Sequence, residues 1–259
     1  MDTARVNGRE IAFEDSGGDG PVVLFSHGLL MNRTMFDPQV AALREDHRCV
    51  AWDQRGHGGT PVDGPFTYWD SADDALALLD HLGVDDAVLV GMSQGGFVSL
   101  RAALRAPSRV RALVLIDTQA GVEDPDAVPL YEAMRDQWLA EGPAGVQDAV
   151  AAIIFGDGVD PAPWFATWAA WPAEHPTLPL RTLVERDDLE DRLGEIAAPA
   201  LVIHGERDAA IPVDRARRLA TGLPGARPLV LVPGAGHAAN LSHPDEVNAA
   251  VASFLGELA

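Results

Sequence analysis

The sequence predicts an α/β protein built on a mostly parallel β-sheet that has helices on both of its faces. Short apolar runs alternate along the chain with longer stretches of helix-type periodicity. The runs are apolar at consecutive positions, as expected of strands that are buried on both faces of a sheet. Glycine and proline separate many of these segments and so mark the bounds of the predicted elements.

The composition is that of a globular protein large enough to bury a sizeable core. The chain has 259 residues, of which 47% are hydrophobic and 22% are charged. Its formal net charge is −20 and no basic patch stands out, so we expect neither nucleic acid nor a membrane surface as a partner. All 19 basic residues are arginine, which excludes catalysis through a lysine Schiff base.

The N-terminus and the cysteine content favour a cytoplasmic protein. The single cysteine, Cys49, cannot form an internal disulfide, and its apolar run is typical of a buried strand. The opening Met-Asp-Thr-Ala-Arg lacks the basic and apolar regions of a signal peptide. No apolar run approaches the roughly 20 residues of a membrane span.

Residues 1–117 are predicted to form the first part of a core domain. Asn7-Gly8 predicts a β-hairpin, because both residues tolerate the positive φ of a two-residue turn. A helix is expected to begin at Ser71, whose hydroxyl is a common N-terminal cap. The predicted strands are Thr3–Val6, Glu10–Asp15, Val22–Phe25, Arg48–Trp52, Ala87–Val90 and Val110–Ile116, and the predicted helices are Phe36–Arg44, Ser71–Leu82 and Phe97–Ala106.

One stretch of this first part carries the clearest chemical signal. Gly91, Ser93 and Gly95 follow a strand at the spacing Gly-x-Ser-x-Gly, and a helix comes next. A nucleophile elbow requires this setting, because the serine takes strained backbone angles and the flanking glycines avoid a Cβ clash. We therefore predict that Ser93 is a catalytic nucleophile rather than part of an ordinary glycine-rich turn.

Residues 118–198 are predicted to form a helical cap, because the strand signal disappears there. The simplest interpretation is an excursion of several helices over the C-terminal edge of the sheet, where open α/β sheets bind ligands. The helical patches are Val128–Glu141, Val146–Phe155, Trp164–Trp171 and Leu178–Leu189.

Residues 199–259 resume the alternation as the second part of the core and supply candidate partners of Ser93. A serine hydroxyl needs a neutral imidazole to take its proton, and the imidazole needs a carboxylate to fix its tautomer. Asp208 and His237 each follow a strand, so both are expected on the sheet edge that holds Ser93. The strands are Ala200–His204 and Leu229–Val232, and the helices are Pro212–Leu223 and Pro244–Leu258.

Two other carboxylates compete with Asp208 for the role of the triad acid. Asp117 also ends a strand and is the stronger alternative. Glu206 is close to Asp208 in sequence, but we expect its side chain to point elsewhere.

Stabilisation of an oxyanion needs two donors aimed at the developing charge. The backbone N–H of Gln94, directly after the nucleophile, is the first candidate, and the N–H of Leu29, in the loop after an earlier strand, is the second. His27 in the same loop is expected to brace the loop rather than to transfer protons.

These motifs together resemble the α/β-hydrolase superfamily over about residues 3 to 258. They are Ser26-His27-Gly28-Leu29, Asp53-Gln-Arg-Gly-His-Gly58, Gly91-Met-Ser-Gln-Gly95, Gly205-Glu-Arg-Asp208 and Gly236-His237. The resemblance implies the α/β-hydrolase fold, with an eight-stranded sheet and a helical lid inserted after strand 6. It also implies hydrolysis of a small-molecule acyl compound without a cofactor, and we expect no metal ion.

Details of the motifs narrow the activity. Ser93 disfavours the haloalkane dehalogenases and epoxide hydrolases of this fold, which carry aspartate at the elbow. The loop Gly28-Leu-Leu-Met-Asn32 differs from the Gly-Pro-Gly-Ala type of carbon–carbon bond hydrolases. It is similar to that of small carboxylesterases, enol-lactonases and cofactor-free haloperoxidase-like enzymes.

We therefore predict a serine hydrolase that cleaves a carboxylic ester or lactone of a small, largely apolar substrate through an acyl-enzyme. Within the enzymes, the alternatives are a haloperoxidase-like perhydrolase and a carbon–carbon bond hydrolase. From a different class, the alternative is a slow-turnover ligand receptor on the same scaffold.

Candidate substrate contacts come from two apolar stretches. Leu30 and Phe36, near the oxyanion loop, predict a hydrophobic entrance. In the cap, tryptophans recur at i, i+4 and i+7 on one helix face, at Trp164, Trp168 and Trp171. Two interpretations stay open: these rings pack the interior of the cap or seal it on the sheet, or Trp164 and Trp168 line an apolar pocket. Three arginines of the cap, Arg135, Arg181 and Arg186, are expected to face solvent.

Overall fold

The computed structural model of the protein describes residues 1–156 and 158–258. Within them, eight strands form one sheet in the order β1-β2-β4-β3-β5-β6-β7-β8. The strands are β1 Asp2–Val6, β2 Arg9–Asp15, β3 Val22–Ser26, β4 Arg48–Trp52, β5 Ala87–Met92, β6 Val110–Ile116, β7 Ala200–Gly205 and β8 Val230–Val232. The predicted eight-stranded and mostly parallel sheet is confirmed.

The antiparallel part of the sheet lies at its N-terminal end, as predicted. β1 and β2 form a hairpin, and β2 pairs antiparallel with β4. The five remaining pairs of neighbouring strands, from β4–β3 to β7–β8, are parallel. Asn7 and Gly8 turn the hairpin with φ values of 49° and 79°, the positive values that a two-residue turn of this kind requires.

Ten α-helices lie within the described residues. They are α1 Asp37–Leu43, α2 Tyr68–His81, α3 Gln94–Arg105, α4 Val128–Glu141, α5 Gln147–Ile154, α6 Ala162–Ala169, α7 Thr177–Val184, α8 Val213–Gly222, α9 Ala239–Ser242 and α10 Pro244–Gly256. Each predicted helical segment overlaps one of them, and α9 is an additional short helix.

The predicted start of α2 at Ser71 is wrong. The helix begins three residues earlier because Thr67 and Asp70 form a capping box. The Thr67 side chain accepts a hydrogen bond from the Asp70 N–H, and the Asp70 carboxylate accepts one from the Thr67 N–H at 2.8 Å. Ser71 is buried within the helix.

Helix α7 ends before its predicted bound at Leu189. Two contacts draw the following residues out of the helical path. The Leu189 N–H donates to the Ala120 carbonyl at 3.0 Å. Arg101, on α3, donates to both the carboxylate and the carbonyl of Asp187.

The core consists of two apolar clusters, one on each face of the sheet. Successive strand residues point to opposite faces, so Leu24 and Leu89 belong to the first cluster whereas Phe25 and Val90 belong to the second. Helices α2, α3 and α8 contribute to the first cluster, and α1 and α10 contribute to the second. Every residue of β5 is buried, which explains the unbroken apolar runs of the sequence.

The segment between β6 and β7 carries α4 to α7 and contributes no strand within residues 117–156 and 158–199. Its side chains join both core clusters, through Leu183 and Leu189 on one face and Trp138, Phe155 and Trp168 on the other. Nowhere in residues 1–156 and 158–258 is a helix both long and apolar enough to span a membrane.

Candidate active site

Ser93 occupies the sharp turn between β5 and α3. Its backbone angles, φ 50° and ψ −117°, are strained for a residue with a side chain. The turn is held by its own hydrogen bonds: the Ser93 N–H donates to the Ile116 carbonyl at 2.9 Å, and Thr118 Oγ1 donates to the Ser93 carbonyl at 2.7 Å. A Cβ on Gly95 would overlap the Ser26 carbonyl, which explains the glycine two residues after the serine.

The structure brings Ser93, His237 and Asp208 into one chain of hydrogen bonds. His237 Nε2 lies 3.0 Å from Ser93 Oγ, and His237 Nδ1 lies 2.8 Å from Asp208 Oδ2. The carboxylate accepts from Nδ1–H, so Nε2 is free to accept from the serine hydroxyl. The second oxygen of Asp208 accepts from the N–H groups of Ala210 and Ile211 at 2.8 and 2.9 Å. This arrangement fixes the carboxylate and, through it, the imidazole.

The electrostatics of the pair suit proton transfer. Burial alone would lower the pKa of His237, but the Asp208 carboxylate outweighs it and the pKa is raised. Burial alone would raise the pKa of Asp208, but His237 outweighs it and the pKa is lowered. The imidazole therefore gains basicity from a carboxylate that stays ionised.

Asp117, the strongest rival for the acid, lies at the end of β6 but makes no hydrogen bond to His237. One of its oxygens accepts from the Gly205 N–H at 2.7 Å, and the other accepts from the Ala239 N–H at 2.9 Å. Burial, followed by the nearby Asp208 charge, raises the pKa of Asp117 to about 8. Asp117 thus ties the end of β7 to the loop that carries His237.

Asp117, His204 and Asp208 form the one group in the described part of the chain that could hold a metal ion, with one ligand atom each within 4.8 Å of one another. His204 Nε2 donates to the Ile211 carbonyl at 2.8 Å. The two carboxylates already accept hydrogen bonds from His237 and from backbone N–H groups. A cation would compete with those bonds. We therefore infer that the cluster fixes the loop after β7 and the loop after β8, which carries His237.

The two predicted oxyanion donors flank Ser93. Gln94 is the first residue of α3, and Leu29 lies in the loop after β3. Neither backbone N–H donates a hydrogen bond to any of residues 1–156 and 158–258. The Gln94 side chain is held behind the turn, since its Oε1 accepts from Tyr68 Oη at 3.3 Å.

His27 braces the loop that carries Leu29. Its Nδ1 donates to the Gly28 carbonyl at 2.8 Å, and its Nε2 accepts from the Gln54 N–H at 3.0 Å. Burial lowers the pKa of His27 to about 4. The ring is therefore neutral and fully engaged in the loop.

Ser93 and His237 open onto a cavity of about 470 Å³ beneath α4 and α5. Its lining is mostly apolar, as in most small-molecule sites. Leu30 lies on it, as predicted from the sequence. The apolar lining also includes Leu29, Met31, Met92, Phe97, Ala127, Leu130, Ala133, Met134, Val146, Ala149, Val150, Ile153, Ile154, Leu183 and Ile211.

The structure does not place Phe36, Trp164 or Trp168 on this cavity. Phe36 packs against Phe25 in the core, with ring centroids 5.0 Å apart. Trp164 and Trp168 stack on Phe155 at 6.1 and 6.4 Å. The prediction that these three residues line the pocket is wrong. Phe36 belongs to the core, and Trp164 and Trp168 pack the interior of the cap by stacking on Phe155.

Sequence reasoning also missed residues that the structure brings to the cavity. Arg186 is buried rather than solvent-facing, and it pairs with Glu123, which lines the cavity. Tyr131 and Met134 line it from α4. Their helical spacing was visible in the sequence, but the same spacing is expected of a helix that packs on a core.

Comparisons with known proteins agree with this geometry. A family model described as alpha/beta hydrolase fold matches residues 21–244. A protein of Variovorax paradoxus, provisionally named carbamate hydrolase RutD, is 31% identical over 93% of this chain and 93% of its own length. The crystal structure of the enol-lactonase from Burkholderia xenovorans has a TM-score of 0.90 at 29% identity, covering 98% of this chain and 100% of that one. A thermophilic esterase from Thermogutta terrifontis has a TM-score of 0.88 at 29% identity, covering 99% and 97%.

Proposed function

Since this chain belongs to the α/β-hydrolase family and is an enzyme acting on ester-type bonds, we propose that it is a serine hydrolase. Its substrate is a carboxylic ester or lactone of a small, largely apolar molecule, and the reaction passes through an acyl-enzyme. The observation that carries this proposal is the continuous hydrogen-bond chain from Ser93 through His237 to Asp208, which opens onto an apolar cavity.

In the first half of the reaction, His237 Nε2 takes the proton of Ser93 Oγ as the oxygen attacks the acyl carbon. The Asp208 carboxylate stabilises the imidazolium that forms. The tetrahedral oxyanion accepts hydrogen bonds from the N–H groups of Leu29 and Gln94, which have no other acceptor among the described residues. His237 then returns its proton to the leaving alcohol.

In the second half, His237 takes a proton from water, and the hydroxide attacks the acyl group on Ser93. The same two N–H groups hold the second oxyanion. As it collapses, the bond between the acyl carbon and Ser93 Oγ breaks, His237 returns its proton to Ser93 Oγ, and the acid is released. The released acid ionises to a carboxylate. The apolar lining of the cavity disfavours this charge and so favours departure of the product.

Replacing the nucleophile tests the mechanism. In Ser93→Ala we expect kcat/KM on p-nitrophenyl butyrate to fall on the order of 10⁴-fold or more, because the acyl-enzyme cannot form. The matched control is Ser71→Ala, which removes a buried hydroxyl that has no hydrogen-bond partner in the described structure. A fluorophosphonate probe with mass spectrometry should label Ser93 in the unchanged protein. Full activity in Ser93→Ala would refute the proposal.

Turnover number separates an enzyme from a receptor that keeps the triad. With substrate in large excess we expect many product molecules per protein, after a burst no larger than one equivalent.

An aryl carbamate is the second substrate of the assay, because one relative is provisionally named a carbamate hydrolase. The carbonyl of a carbamate presents the same kind of acyl carbon to Ser93 as an ester does. A higher kcat/KM on the carbamate than on the matched ester would transfer the proposal from esters to carbamates.

A further inference from the structure

One ion pair lies in the wall of the otherwise apolar cavity. Glu123, between β6 and α4, is part of the lining. Its Oε2 accepts a hydrogen bond from Arg186 Nη1 at 3.0 Å. The two side chains are 9% and 1% exposed, so both charges are held away from bulk water.

Arg186 is fixed from several sides. Its Nε donates to the Gly121 carbonyl at 3.0 Å, and its Nη1 also donates to the Leu183 carbonyl at 2.8 Å. Its guanidinium lies 4.5 Å from the centroid of the Phe97 ring, which belongs to α3 and lines the cavity. These contacts hold the carboxylate of Glu123 at the wall.

A buried ion pair is poor evidence of stabilisation, because apolar side chains of similar volume often stabilise a fold as well or better. A few placed polar groups in an apolar cavity are instead typical of a site that orients a ligand. Tyr131 adds such a group: it lines the same cavity, and its hydroxyl bonds to no atom of residues 1–156 and 158–258. Burial, with the Glu123 charge second, raises the pKa of Tyr131 to about 12, so the phenol stays protonated.

We propose that Glu123 and Tyr131 form a polar subsite for a neutral hydrogen-bonding group, an amide or a hydroxyl, on an otherwise apolar acyl substrate. Glu123 accepts a hydrogen bond from this group, and the Tyr131 hydroxyl donates one to its oxygen. Arg186 already balances the charge of Glu123, so a neutral group leaves the wall neutral. A substrate carboxylate would face Glu123, and a substrate ammonium would add an unbalanced positive charge.

The subsite and the reacting groups share one cavity. Ser93 and His237 line it together with Glu123 and Tyr131. Burial alone would lower the pKa of His237, but the surrounding carboxylates outweigh burial and raise it. Asp208 contributes most to this rise and Glu123 contributes least. Glu123 is therefore within electrostatic range of the imidazole. The proposal rests on the serine hydrolase function given above and adds the class of substrate.

A panel of p-nitrophenyl esters tests it. The acyl chains share one length and end in an isopropyl, methyl ketone, primary amide or carboxylate group. The methyl ketone has the shape of the amide and keeps its oxygen, but it has no N–H to donate. We expect kcat/KM for the amide to exceed that for the ketone by about tenfold or more, because a buried hydrogen bond to a charged group is lost. The carboxylate should be the poorest substrate.

Two variants assign the preference to the named residues. In Glu123→Gln, the ratio of amide to ketone should fall about tenfold, and the carboxylate should improve relative to the other esters because Arg186 is no longer balanced. In Tyr131→Phe, both the amide and the ketone should fall relative to the isopropyl ester. The control is Glu185→Gln, an exposed residue paired with Arg181, which makes the same charge change and should leave all ratios unchanged.

Each readout is a ratio within one protein, so a general loss of activity does not affect it. Equal kcat/KM for amide and ketone in the unchanged protein, or the same ratio in Glu123→Gln, would overturn the subsite. If Glu123→Gln does not fold, the unchanged protein and Tyr131→Phe decide the question. Ser93-dependent hydrolysis without a preference contradicts the subsite alone, whereas hydrolysis that survives Ser93→Ala contradicts the proposed function.

Discussion

The sheet edge that carries Ser93, His237 and Asp208 and the cap that covers it are held together in different ways. At the edge, directional hydrogen bonds fix each polar group: Asp208 accepts from His237 and from two backbone N–H groups, and Asp117 ties two loops together. In the cap, aromatic rings pack on one another, as Trp164 and Trp168 do on Phe155.

The cap also leaves apolar groups exposed at the cavity. Leu130 and Ile153 line it and are 71% and 47% exposed. Directional bonds occur there as well, such as that from Trp168 Nε1 to the Leu30 carbonyl at 2.7 Å and those of Arg186. We infer that the edge sets the chemistry and that the cap, which supplies most of the apolar lining, sets the choice of substrate.

The edge should be the more sensitive of the two regions, and Asp208→Asn should show the largest effect. An asparagine keeps the shape but disfavours the tautomer that accepts the serine proton, so we expect kcat to fall by about 10⁴-fold. Steady-state kinetics on p-nitrophenyl butyrate measure this.

Asp117→Asn makes the same chemical change at the other candidate acid, so its effect is compared with that of Asp208→Asn. Its amide N–H₂ must face either the Gly205 or the Ala239 N–H, so unfolding should become easier by about 1–3 kcal/mol, with a much smaller loss of kcat. Chemical denaturation and the same assay separate the two quantities. If instead Asp117→Asn lost the larger share of kcat, the acid would be Asp117.

The pH profile sharpens the assignment further. His237 acts as a base only when neutral, and Asp208 holds its pKa above the ordinary histidine value. We therefore expect kcat/KM to fall about tenfold per pH unit below a pKa higher than about 6.5. Asp208 remains ionised over this range because its own pKa is lowered.

In Asp208→Asn the carboxylate is gone and burial remains, so the acidic limb of the residual activity should move to lower pH. Initial rates in buffers of constant ionic strength measure the shift. A limb that stays in place would mean that Asp208 does not act on His237.

The same difference between regions explains what could be predicted from the sequence. Parallel strands end at one edge, so the residues after β5, β7 and β8 had to meet, and Ser93, Asp208 and His237 could be chosen as a set. The place of Ser93 in the elbow followed from local backbone geometry.

The cap could not be predicted in the same detail. Helical periodicity shows that one face of α4 or α6 is buried, but it does not distinguish burial in the core from exposure to a cavity. Trp168 and Tyr131 lie on helices of similar pattern, yet one packs inside and the other lines the cavity. The buried pair of Glu123 and Arg186 joins residues that are far apart in sequence.

Trp168→Phe tests the cap with the smallest expected effect. Phenylalanine keeps most of the stacking on Phe155 but removes the indole N–H, so the Leu30 carbonyl loses its donor. Unfolding should become easier by about 1 kcal/mol, and kcat/KM on an apolar ester should change by only a few-fold. Trp171→Phe is the control, because its indole N–H donates no hydrogen bond to any of residues 1–156 and 158–258. Since Leu30 lies next to Leu29, the proposed oxyanion donor, a loss in Trp168→Phe as large as that in Asp208→Asn would show that the cap helps to set the chemistry.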